Sequence, residues 1–183
     1  MKDSKNDILT FWFDETSPVQ QQQESDAFDA IIRQRFSRDY DLAAGGIFDS
    51  WQDTPDGCVA LCLLLGLFPR FIFRGAPQAF ETDGKALALA ARAIDRHFDT
   101  LLPMPRRLVL YWPFGQSELL ADQDRYIAML EPLLAVDPVT HGRACRNREI
   151  IVRFGRFPAR NDIVGRPTTP DEQSYLSGAA VNA

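Results

Sequence analysis

An all-α fold is predicted for this chain, on three observations. Apolar residues return at spacings of three and four along most of its length, the period of one helix face. Cap and stop residues bracket these stretches, as in Ser25 with Gly45-Gly46, Thr54-Pro55-Asp56, and Thr169-Pro170-Asp171-Glu172. No alternating run is bounded by turn signals, and Val109-Leu110-Tyr111-Trp112 is a strand candidate only in isolation. Short connections predict packed antiparallel helix pairs in a single domain over residues 1–183. The tail from Ser177 to Ala183 reads as disordered. No clean internal repeat is visible.

Each element has its own signal. Ile8, Phe11, Trp12 and Phe13 form a short apolar element, which Pro18 and the glutamines at 20 to 23 interrupt. Ser25 caps a helix carrying Phe28, Ile31, Ile32, Phe36 and Tyr40 inward, and Gly45-Gly46 ends it. Thr54-Pro55-Asp56 opens the next helix, which runs to Phe68 and kinks or ends at Pro69. The Ala- and Leu-rich stretch from Gln78 to Phe98 is the strongest helix former. Pro103 and Pro105 precede a helix that Pro113 should stop. Ser117 caps another, with Leu119, Leu120, Tyr126, Ile127, Leu130, Leu133 and Leu134 inward. A helix around Cys145 to Arg153 leads to Gly155, and Thr169 to Glu172 spaces a capping box before the last one.

Composition narrows the class. The chain has 183 residues, and 25 Asp or Glu against 20 Lys or Arg give a net charge of −5. That balance argues against a nucleic-acid-coating protein, and thirteen Phe, three Trp and four Tyr exclude disorder. No apolar window is expected to reach membrane-spanning length, the longest being Cys58 to Phe68. The start of the chain lacks a signal-peptide pattern, which predicts a cytoplasmic protein. Three cysteines form no metal or disulfide framework, and no metal or other cofactor is expected. Charge is uneven: residues 1–57 carry −7 and residues 141–166 carry +5. The basic segment should therefore meet either the acidic third of the chain or an anionic ligand.

A set of phrases resembles one family, the uncharacterised bacterial proteins called domain of unknown function 924. They are Ile8-Leu9-Thr10-Phe11-Trp12-Phe13, Phe28 through Phe36, Phe68-Pro69-Arg70 with Ile72-Phe73-Arg74-Gly75, Ala79-Phe80 and Asp83. Trp112-Pro113-Phe114, Ser117-Glu118, Ala121-Asp122-Gln123, Ile150-Ile151, Arg153-Phe154-Gly155-Arg156-Phe157-Pro158 and Arg160-Asn161 continue the series. The resemblance implies a helical, tetratricopeptide-like fold and no agreed activity. Against the family's usual pattern, polar or titratable positions are changed at Gly66, Leu67, Phe71, Gln116, Asn147 and Ala159. If the motifs converge, these six positions line one cavity that has become more apolar.

Candidates for chemistry are few. His97 and His141 lie outside the motifs, and His97 suits a helix C-terminus. Glu118 is the candidate acid or base, expected to keep a raised pKa through burial, or else a first-turn helix acid. Asp83 carries the same two readings. Gln116 and Tyr111 are candidates for hydrogen bonding or proton transfer beside Glu118. Arg70, Arg74, Arg153, Arg156 and Arg160 either grip an acidic ligand or serve structural pairs. Phe71, Trp112 and other aromatics form a pocket wall or plain core.

These residues predict a small-molecule-binding protein. In its enzymatic form it is a cofactor-independent isomerase or cyclase, taking a largely apolar substrate with an acidic or carbonyl end. The alternative is a non-catalytic, tetratricopeptide-like interaction module with a protein partner or a homodimer. An enclosed cavity separates the first from the second, which needs an open basic groove.

Overall fold

The computed structural model describes residues 4–22 and 25–181, and no strand occurs among them. Where the sequence suggested one helical domain, the chain divides into two compact units, Met1–Pro113 and Phe114–Ala183.

The N-terminal unit starts with α1 (Ser4–Thr10), which widens into a π-turn over Phe11–Glu15. Ile8, Leu9, Phe11 and Trp12 are thereby buried. Pro18 opens a short helix, α2 (Pro18–Gln22), because a proline loses no hydrogen bond in a first turn. Helix α3 (Asp26–Ala44) is capped as predicted: Ser25 Oγ accepts from the Phe28 N–H at 3.3 Å. Phe28, Ile32, Phe36 and Tyr40 face inward, but Ile31 is 43% exposed. At about 100° per residue, Ile31 lies roughly 120° from the centre of that stripe.

Helix α4 (Pro55–Cys62) has the Thr54 cap, whose Oγ1 accepts from the Gly57 N–H at 3.2 Å. It passes through a π-turn at Leu63–Leu67 into α5 (Pro69–Ile72). Pro69 thus opens a helical turn, and its missing N–H leaves the Leu65 carbonyl without its regular partner. The Thr82 hydroxyl takes that place, donating to Leu65 O at 2.6 Å. Pro55–Ile72 has the length and apolarity of a membrane span, contrary to the expectation from sequence, yet 78% of it is buried inside the fold.

The Ala-rich helix α6 (Asp83–Asp95) is shorter than its composition suggested. Pro77–Phe80 forms a separate 3-10 turn, and His97 ends the helix in a left-handed conformation, φ 59°. Lys85 Nζ donates to the Ala43 and Ala44 carbonyls at 2.9 and 3.3 Å, closing the C-terminus of α3. Helix α7 (Met104–Gln116) does not stop at Pro113. One lost main-chain bond is tolerated there because Leu110 and Phe114, on either side of it, are buried. The boundary between the units falls at this proline.

In the C-terminal unit α8 (Leu120–Leu130) packs on α9 (Pro138–Phe154). Gln123, Tyr126, Leu130, Ala144 and Ile151 are buried, whereas Leu119, Leu120 and Leu134 are exposed. The reason lies at the helix start: α8 begins at Leu120, so Ser117 stands outside its first turn. Ser117 Oγ instead donates to Asp122 Oδ2 at 2.5 Å. Asp137 caps α9 by accepting from the Thr140 N–H at 3.0 Å. The predicted capping box opens α10 (Pro170–Val181): Thr169 N–H donates to Glu172 Oε2 at 2.8 Å and Glu172 N–H to Thr169 Oγ1 at 3.3 Å. Helix α10 carries Ser177–Val181 where a disordered tail was expected, and Asn182 and Ala183 lie outside the described residues.

Candidate functional site

The sequence-predicted residues are distributed over both units. In the N-terminal unit Gly66 lies in the π-turn that α5 continues, and an added Cβ there would stand 3.0 Å from the Trp112 ring. Trp112 therefore occupies the space that a side chain at position 66 needs. Phe71 is buried in an aromatic cluster, with Phe28 edge-on at 5.5 Å and Trp12 at 6.0 Å. Leu67 beside it is half-buried.

Both arginines of this region have protein partners. Arg70 donates to Asp83 Oδ2 at 2.6 Å and to the Ala79 carbonyl, with its guanidinium over the Phe80 and Trp112 rings. Arg74 holds the buried Asp29 with two bonds, at 2.5 and 2.9 Å. Tyr111 donates its hydroxyl to Asp99 Oδ2 at 2.6 Å. Burial, and then that bond to a carboxylate, push its pKa far up, so the phenol stays protonated.

The C-terminal unit holds the remaining candidates. Glu118 receives Arg166 on both oxygens, at 2.7 and 3.0 Å, and the Phe157 N–H at 2.8 Å. Burial alone raises a carboxyl pKa, which was the expectation. Here the Arg166 and Phe157 hydrogen bonds and the Arg166 and Arg160 charges outweigh it, and the net shift is downward. Glu118 is thus an ionised structural anion, not an acid poised near neutrality. Arg160 donates to the Gln116 carbonyl at 2.9 Å and to its Oε1 at 3.0 Å. Arg156 grips the buried Glu172 at 2.6 and 2.8 Å. Arg153 meets Asp171 at 3.1 Å on the surface. Asn147 makes a long contact to the Gly115 carbonyl at 3.5 Å, and Ala159 is exposed. The basic segment therefore finds its acids within its own unit.

Two cavities of the N-terminal unit are lined by none of these residues. The larger is a cleft of about 450 Å³. Cys58, Leu89 and Ala93 line it together with Gln52, Asp53, Arg92 and Arg96. A smaller hollow of about 60 Å³ adjoins it and shares Gln52, Leu89 and Arg92. Gln52 organises the larger cleft. Its Oε1 accepts from Arg92 Nη2 at 3.1 Å, while its carbonyl accepts from Arg96 Nη1 at 3.0 Å and from Cys58 Sγ at 3.3 Å. Burial raises the Cys58 thiol to about 11 despite the nearby Arg96 and Arg92 charges, so it is an apolar wall and not a nucleophile. Sequence reasoning missed this group. The spacing Leu89-x-x-Arg92-Ala93-x-x-Arg96 on one helix face was visible, but Gln52 arrives from a distant turn. Among the described residues, no three His, Cys, Asp or Glu side chains come together to hold a metal ion.

The model of a family described as bacterial protein of unknown function (DUF924) matches residues 8–180. A solved structure of a protein of unknown function from Agrobacterium tumefaciens is similar, with a TM-score of 0.88 and 36% identity. The match covers 94% of this chain and 96% of that one. No curated protein matches this chain.

Proposed function

This chain belongs to the DUF924 family, and from that premise we propose that it is a small-molecule-binding helical protein for a largely apolar ligand with an acidic or carbonyl end. The observation that carries the reading is the cleft of about 450 Å³ in the N-terminal unit. Its volume falls in the range of roughly 300–1,000 Å³ typical of ligand sites. It also combines an apolar floor with two guanidinium groups. Glu118 is held ionised and Tyr111 protonated, so neither favours acid–base chemistry at neutral pH. The enzymatic form, a cofactor-independent isomerase or cyclase, would act by shape and orientation alone. A cytoplasmic location belongs to the same proposal, supported by three free cysteines of the kind a reducing compartment maintains.

Native mass spectrometry of the protein purified from its own host tests this. The expected result is a co-purifying small molecule that Leu89→Trp, which fills the floor of the cleft, displaces. A bare protein, or one carrying another polypeptide, would favour the tetratricopeptide-like interaction module. That second reading draws on the exposed Val139 and Val152 of α9, which share the helix with Arg143, Arg146 and Arg153.

A further inference from the structure

The cleft has a charge arrangement that narrows its ligand, and the narrowing rests on the small-molecule reading above. Arg92 and Arg96 are one helical turn apart on α6. Both are anchored on the same residue, Arg92 through the Gln52 side chain and Arg96 through the Gln52 main chain. A guanidinium carries five N–H donors. One bond to Gln52 therefore fixes each group's position and leaves donors to offer a ligand. Arg96 also lies 4.2 Å over the Phe98 ring, which holds it further. Asp53 stands 3.9 Å from Arg96, too far for a hydrogen bond yet close enough to offset one positive charge. Lys85, at the adjoining hollow, is already matched by Asp49 at 3.5 Å and by the α3 carbonyls.

The rim thus presents two anchored guanidiniums with one excess positive charge, above a floor of Cys58, Leu89 and Ala93. We infer that this cleft binds a singly charged carboxylate bearing an aliphatic tail, with Arg92 and Arg96 on the carboxylate and the tail over Leu89 and Ala93. A dianionic phosphate would leave one negative charge uncompensated beside Asp53. A neutral alcohol would leave both guanidiniums without the anion they are placed to meet. Gln52 is a positioning residue, since it acts through the two arginines.

Titration calorimetry with decanoate, decyl phosphate and 1-decanol on the full chain tests the assignment. Decanoate is expected to bind most tightly. Arg92→Ala/Arg96→Ala should weaken it about tenfold or more, the effect of losing charge-assisted bonds. Gln52→Ala should weaken decanoate but leave 1-decanol unchanged, a split that general loosening of the cleft would not produce. Leu89→Trp should abolish binding of all three while both arginines remain. The arginines are exposed, so circular dichroism melts of their variants should match the parent. Decyl phosphate binding more tightly than decanoate would overturn the carboxylate assignment and leave small-molecule binding standing. Binding of none, or binding that neither the double arginine variant nor Leu89→Trp changes, would overturn the cleft as the site and the proposed function with it.

Discussion

The two units are held together by different physics. The N-terminal unit is organised around aromatic burial: Phe68 is fully buried and lies 5.0 Å from Phe36, 5.7 Å from Trp12 and 6.2 Å from Phe11. The C-terminal unit relies on arginine–carboxylate pins, with Glu118 under Arg166 and Glu172 under Arg156. Area burial is indifferent to pH and nearly so to moderate salt. Buried carboxylate pairs are not, and their strength depends on retaining both partners. One chain of 183 residues therefore contains a unit expected to resist acid and a unit expected to yield to it.

The contrast is broken most severely by Phe68→Ala. Emptying that site should cost about 3–5 kcal/mol. All three tryptophans lie in the N-terminal unit, so the loss should appear as a lower denaturant midpoint by tryptophan fluorescence. Next comes acid. The Arg156 hydrogen bond, with the Thr169 N–H behind it, holds Glu172 down to about 2 against an ordinary 4.5. Because the folded pKa is the lower one, the stabilisation is complete above about pH 4.5 and is lost as pH falls towards 2. Hydrogen exchange across this window should show α10 opening first. Glu172→Gln should flatten that acid dependence and lower the melting temperature at neutral pH by several degrees.

Smaller effects sharpen the comparison. Glu118→Gln leaves Arg166 without its anion and should cost about 1–2 kcal/mol, less than a fully buried pair because both side chains are partly exposed. Gly66→Ala drives a methyl against Trp112 and should cost about 1 kcal/mol, with a shift in tryptophan emission. Asp124→Ala removes only the surface partner of Arg148. A change above about 0.5 kcal/mol there would contradict the view that only the buried pins matter.

The all-α class and the caps were legible in the sequence because caps are local chemistry. Ser25, Thr54 and the Thr169–Glu172 box each act within three residues of themselves. Pro113 misled for the opposite reason: burial on either side of it outweighs a local rule. Leu119, Leu120 and Leu134 misled because periodicity selects a face without showing that anything covers it. The polarity of Glu118 depended on Arg166, 48 residues away, which spacing does not reveal. Arg92 and Arg96 were present as a spacing, but their meaning came from Gln52, 40 and 44 residues earlier.

The π-turn at Leu63–Leu67 has a consequence for how this chain tolerates insertion and deletion. A wide turn holds one residue more than the regular helix it interrupts. Deleting Leu64 would let α4 run straight on and rotate everything after it by about 100°. Phe68 would leave Phe36 and Phe11, and Arg70 would leave Asp83. The Thr82 hydroxyl would no longer meet a carbonyl that Pro69 cannot serve. A single lost codon at this turn would therefore be far more damaging than one in the exposed connection after α8, although no charged residue is removed.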